Sequence, residues 1–118
     1  MTSLVACLST GKGTWETITG IIRSNTFEKA ILMTNDFGIS HFKKTENVEL
    51  IKIDTTMSSK ELSEYIQEKL KGKIADTEVA LNITSGTGRE HLAILSALLK
   101  LGLGIRLVDL KDNQVVEL

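Results

Sequence analysis

Residues 78–101 read EVALNITSGTGREHLAILSALLKL, and this stretch decides the fold. Glu78 to Ile83 is an apolar run of strand length, Thr84 to Thr87 carries turn residues, and Gly88 to Leu101 repeats apolar residues at helical spacing. A second apolar run, Gly104 to Leu110, follows at once, so strand, helix and strand form one βαβ unit. Beyond it, Lys111-Asp112-Asn113 reads as a turn, which folds Gln114 to Leu118 back antiparallel as an edge strand.

The same alternation extends upstream. Ser3 to Leu8 reads as a buried strand, and Thr14 caps a helix in which Trp15, Ile18, Ile21 and Ile22 share one face and which stops near Asn25. Lys29 to Thr34 and Val48 to Asp54 are the second and third strands, with room for only a short crossover helix within Asp36 to Asn47. Ser58-Ser59-Lys60-Glu61 is a capping box; Leu62, Tyr65, Ile66 and Leu70 follow at helical spacing, and Gly72 ends that helix. Strands alternating with helices pair in parallel through right-handed crossovers. The expectation is a Rossmann-like α/β sandwich over residues 1–118, one domain, with a mostly parallel six-stranded sheet in the order 3-2-1-4-5-6.

In that order the first and fourth strands are neighbours, and a ligand crevice opens between their carboxyl ends. The loops leaving them are Ser9-Thr10-Gly11-Lys12-Gly13-Thr14 and Thr84-Ser85-Gly86-Thr87-Gly88-Arg89. Each combines glycines, hydroxyls, one cation and a helix start, a mixture suited to phosphate. The candidate ligand-binding residues are therefore Ser9, Thr10, Gly11, Lys12, Ser85, Gly86, Thr87, Gly88 and Arg89, with Asn35 after the second strand on the same edge. Each loop alone is equally well a tight strand-to-helix turn, and Asn35-Asp36 an ordinary turn. Neither loop completes a P-loop or a dinucleotide fingerprint, which weighs against ATP hydrolysis and NAD chemistry. A transferase using Ser9 or Thr10 lacks a base nearby in sequence, and His91, in the first turn of its helix, reads as structural before catalytic.

Composition narrows the classes further. At 118 residues the chain is long enough for one core, burying ~65% of its unfolded surface without metals or disulfides. Fourteen basic against fifteen acidic residues, a net charge of −1, disfavour duplex DNA as a partner and leave only a local basic pocket. Cys7 is the sole cysteine and reads as a buried strand thiol; His41 and His91 are too far apart to suggest a metal centre. No cofactor is implied. No apolar stretch approaches ~20 residues and no signal peptide precedes the first strand, so a cytoplasmic protein without a membrane span is expected. On the helix Gly88 to Leu101, Arg89, Ser96 and Lys100 gather on one narrow face while Leu92, Ile94, Leu95, Leu98, Leu99 and Leu101 cover more than half the circumference. A helix on a sheet needs a narrower stripe, which makes this helix the candidate interface of a homodimer.

The run Asn82 to Arg89, the apolar helix after it and the hairpin Ile105 to Leu118 resemble the second motif of CARF domains, the CRISPR-associated Rossmann-fold sensors. Ser9-Thr10-Gly11 is similar to their first motif. The resemblance implies a homodimer that binds a cyclic oligoadenylate across its two-fold axis through Ser9, Thr10, Gly11 and the stretch Ser85 to Arg89. In members that cleave the ring, the attack comes from the ligand's own 2′-hydroxyl and needs no metal. Where the family commonly has Gly-Gly-Thr-Lys, this chain has Ser85-Gly86-Thr87-Gly88, with Arg89 one place later. No effector is expected after Leu118, so degrading the signal, sequestering it and passing it to another protein all stay open. The alternative from a different class is a small protein-interaction or regulatory module without a nucleotide ligand.

Overall fold

A computed structural model describes residues 2–8, 15–43 and 45–118. The elements alternate from the start: β1 (Ser3–Leu8), α1 (Trp15–Arg23), β2 (Lys29–Thr34), α2 (Asp36–His41), β3 (Val48–Lys52), α3 (Ser59–Leu70), β4 (Glu78–Asn82), α4 (Gly88–Lys100), β5 (Gly104–Lys111) and β6 (Gln114–Glu117). They form a six-stranded sheet in the order β3-β2-β1-β4-β5-β6. Its pairings are parallel except β5 with β6. This is the Rossmann-like α/β arrangement expected from the alternation of apolar runs.

The continuous apolar runs are explained by burial on both faces. The pleat of β1 sends Val5 and Cys7 toward α3 and α4. Leu4, Ala6 and Leu8 point instead toward α1. All six β1 residues are buried, so no polar face was available for alternation to reveal. On one side Leu62, Ile66 and Leu70 of α3 and Ala93, Ile94, Ala97 and Leu98 of α4 close the core. On the other, Ile18 and Ile21 of α1 do so, with Trp15 and Ile22 half-buried beside them.

Helix and strand ends follow local chemistry. Ser58 caps α3 with the reciprocal Glu61 bonds of a capping box. The short α2 starts at Asn35, whose side chain accepts from the Gly38 N–H at 3.1 Å. β3 stops two residues before the expected Asp54, yet the Ile53 N–H still reaches the Thr34 carbonyl at 2.7 Å and Ile53 is buried. The β5–β6 turn has Asp112 and Asn113 both at positive φ, 52° and 62°, the left-handed pair that matches hairpin twist. No helix among the described residues is long and apolar enough to cross a membrane.

Candidate functional site

β1 and β4 pair in parallel with Ala6 level with Asn82, so their carboxyl ends leave the sheet side by side. The residues that follow β4 are held by a chain of polar contacts. Asn82, buried in the last strand position, donates from Nδ2 to the Val108 carbonyl at 2.8 Å and accepts at Oδ1 from the Thr84 hydroxyl at 2.8 Å. This fastens the loop to β5. Ser85 is buried, and its carbonyl accepts from His91 Nε2 at 2.8 Å, which makes Nε2 the protonated ring nitrogen in this contact.

Gly86 then turns the chain at φ +107° and lies directly against the end of β1. A methyl group built on it would meet Cys7 Sγ at 2.6 Å, Glu90 Oε1 at 3.1 Å and His91 Nε2 at 3.2 Å. A side chain has neither the backbone conformation nor the space, so glycine is required here. Thr87 caps α4: its hydroxyl accepts from the Glu90 N–H at 3.3 Å, while Glu90 Oε1 accepts from the Thr87 N–H at 2.7 Å. That reciprocal box leaves the N–H groups of Gly88 and Arg89 without an acceptor among the described residues, directed out of the first turn of a helix whose dipole favours an anion. The Arg89 side chain is exposed at the same end.

Beneath the loop the electrostatics are those of a sealed floor. Burial pushes the Cys7 thiol up to about 12, with the Glu90 carboxylate adding to the shift, so Cys7 is neutral and unreactive. Glu90 is only 5% exposed and its carboxylate is committed to the cap. What faces outward at this end is the first turn of α4 and the Arg89 side chain, whereas the Thr84 hydroxyl proton is already given to Asn82.

Of the residues singled out from sequence, Ser85 to Arg89 form one continuous turn at the β1–β4 exit. Asn35 lies on the same sheet edge two strands away, with its side-chain oxygen engaged by α2. Ser9, Thr10, Gly11 and Lys12, with the Thr14 cap, lie outside the described residues. Two residues of the loop went unrecognised. Glu90 was visible in principle, because Thr87-x-x-Glu90 is a capping-box pattern like Ser58-x-x-Glu61; Asn82 signalled only as a polar residue ending an apolar strand.

The outward face of α4 is apolar. Ile94 and Leu98 are buried and Leu95 is half-buried, but Leu92 and Leu99 are 60% and 64% exposed. The polar strip does not take the outward position, because Ser96 turns to α3, where Ser63 donates to it at 3.0 Å. Leu107 and Leu118, exposed and facing each other across the β5–β6 hairpin, extend apolar surface on the same side of the sheet. Among the described residues no cluster of three His, Cys, Asp or Glu side chains could hold a metal.

No family model matches the sequence, and no curated protein matches it. Among solved structures, Enterococcus italicus Csm6 bound to cyclic hexa-2'-fluoro-hexa-dAMP is similar, at 16% identity and a TM-score of 0.59, over 94% of this chain and 33% of that one. This chain thus spans about a third of that protein's length, and at such identity the likeness is one of fold. The six-stranded 3-2-1-4-5-6 architecture built here from sequence and packing is therefore an architecture that this chain shares with part of Csm6.

Proposed function

We propose that residues 1–118 are one CARF-like sensor domain that acts as a homodimer and binds a cyclic oligoadenylate, with cleavage of the ring as its further activity. The observation that carries the reading is the seat of Gly86 against Cys7, which brings the Thr84–Glu90 turn to the exit of β1. The likeness in fold to a protein solved with a cyclic hexanucleotide analogue supports the same ligand class. In this reading the Gly88 and Arg89 N–H groups and the Arg89 guanidinium hold phosphates, Ser9, Thr10, Gly11 and Lys12 join them as ligand contacts, and Asn35 borders the site.

The exposed stripe of α4 supports the dimer. Gly88, Leu92, Leu95 and Leu99 recur at i, i+4, i+7 and i+11, the seam spacing of two helices packed on each other. Burying Leu92 and Leu99 of each copy contributes up to about 2 kcal/mol per side chain. Packing two α4 helices about a two-fold axis, with their amino ends on one side, gives a ring two copies of the same anion-binding turn.

Cleavage requires neither metal nor water in this scheme. The ligand's 2′-oxygen attacks the adjacent phosphorus, the bond to the 5′-oxygen breaks, and the proton lost from the 2′-hydroxyl is balanced by the one gained by the leaving 5′-oxygen. The products are linear, with a 2′,3′-cyclic phosphate and a free 5′-hydroxyl. Arg89 stabilises charge on the pentacoordinate phosphorus and, always protonated, does not carry the proton.

Incubation with cyclic tetra- and hexa-adenylate in EDTA, read by thermal shift and chromatography, tests both parts. Ligand at ~100 times its dissociation constant stabilises by ~2.7 kcal/mol, on the order of 10 °C for a chain of this size. Linear products establish cleavage; a shift with unchanged ligand leaves a binding domain. A flat response to every ring instead favours a protein-interaction module, for which the exposed Leu92 and Leu99 are the observation.

A further inference from the structure

A second site lies on the opposite layer of the sandwich, away from the α4 turn. Because α2 has only six residues, it does not fill the layer beside α1, and a groove of about 260 Å³ remains between α1 and the segment that leads from α2 into β3. Ile22 and Val48 form its apolar floor, Trp15 and Phe42 its walls, and Arg23 and Lys43 its rim. Trp15 meets Phe42 edge to face, with centroids 5.7 Å apart and planes at 70°, and also packs at a tilt on Phe37, 5.7 Å away, so this side of the groove is aromatic.

The charge of the lining has one sign. Among the described residues Arg23 and Lys43, both exposed, take part in no ion pair, His41 stands beside them, and no carboxylate lines the groove. His41 donates from Nδ1 to the Phe37 carbonyl at 2.9 Å and stacks on the Phe37 ring, centroids 4.1 Å apart, which holds its imidazole in place. The remaining polar lining is hydroxyl, Thr19 and Thr45, with no fixed pattern of donors and acceptors to select one base. An aromatic side, an apolar floor and an unpaired cationic rim together complement a planar ring carrying an anionic group. A groove of about 260 Å³ has room for one nucleotide.

We propose that the α1–α2 groove binds a single nucleoside monophosphate, the base against Trp15 and Phe42 and the phosphate between Arg23 and Lys43. It does so independently of the turn at the β1–β4 exit. Trp15 is the only tryptophan, so its fluorescence reports occupancy directly. Titration with adenosine 5′-monophosphate is expected to give a saturable fluorescence change. Arg23→Glu and Lys43→Glu, both at exposed positions that leave the fold intact by circular dichroism, are expected to weaken it by about tenfold each. Arg89→Ala, at the other site, leaves the titration unchanged. Adenosine and inorganic phosphate, each carrying half of the recognised chemistry, bind at least about tenfold more weakly than the nucleotide. The proposal is overturned by no saturable change up to about 10 mM nucleotide. It is equally overturned by adenosine binding as tightly as its monophosphate, or by loss of the signal in Arg89→Ala with the charge-reversal variants unaffected.

Discussion

Replacing Gly86 with alanine tests the geometry on which the β1–β4 site rests. Two costs add at this position. At φ +107° an L-residue is strained by about 1–3 kcal/mol. The new methyl would also stand 2.6 Å from Cys7 Sγ, in a floor where Cys7 has no exposed surface and the sulfur has nowhere to retreat. Overpacking of this kind costs about 1–3 kcal/mol. Together these predict a loss of roughly 2–6 kcal/mol, which lowers the melting temperature by on the order of 10–20 °C for a chain of this length. Urea and thermal unfolding measure it, and the double variant Cys7→Ala/Gly86→Ala separates the terms. Removing the sulfur relieves the steric part, so the second substitution is less damaging in the Cys7→Ala background by about 1 kcal/mol or more, whereas the backbone term stays. Gly86→Ala within about 2 °C of the parent, or strict additivity in the double variant, refutes the contact between the turn and β1.

Three further outcomes follow from the same packing. Cys7, buried and with its thiol pushed up to about 12, is inert to iodoacetamide in the native protein at pH 8 and reacts at once in denaturant; rapid native labelling contradicts the sealed floor. Glu90→Ala leaves the Thr87 N–H without its acceptor and destabilises by about 1–3 kcal/mol, while Glu90→Gln, which still caps, loses much less; equal losses would refute the capping role. The hydrogen bond from Lys73 at 2.6 Å holds the Glu49 carboxyl below its ordinary value of 4.5, so the pair stabilises above that pH and the benefit disappears as the carboxylate is protonated. Both groups are about a third exposed, so Glu49→Gln costs about 0.5 kcal/mol at pH 7 and nothing near pH 2; a difference that persists in acid contradicts the linkage.

The sheet was legible because β1, β2 and β4 carry continuous apolar runs and each crossover is long enough for a helix, which leaves few topologies. The turn Ser85 to Arg89 was legible for the same reason: it joins a clear strand to a clear helix, and strand order alone sets it beside β1. Sequence spacing was less informative about orientation. On α4 it separated a polar strip from an apolar one, but it could not say that Ser96 faces Ser63 of α3 and thereby turns Leu92 and Leu99 outward, because that contact joins residues 33 apart. The α1–α2 groove is non-local in the same way, bringing Trp15 to Val48 through a crossover helix too short to cover them. Glu90 differs, because its signal is local: its spacing from Thr87 is already that of a capping box.

In the proposed dimer two copies of the Thr84–Glu90 turn share one cyclic ligand across the α4 face. Isothermal titration of the protein with cyclic hexa-adenylate measures this directly through stoichiometry. One ring per two chains is expected, with binding lost when Leu92→Glu and Leu99→Glu convert the protein to a monomer. One ring per chain, or binding that survives in that monomer, contradicts it.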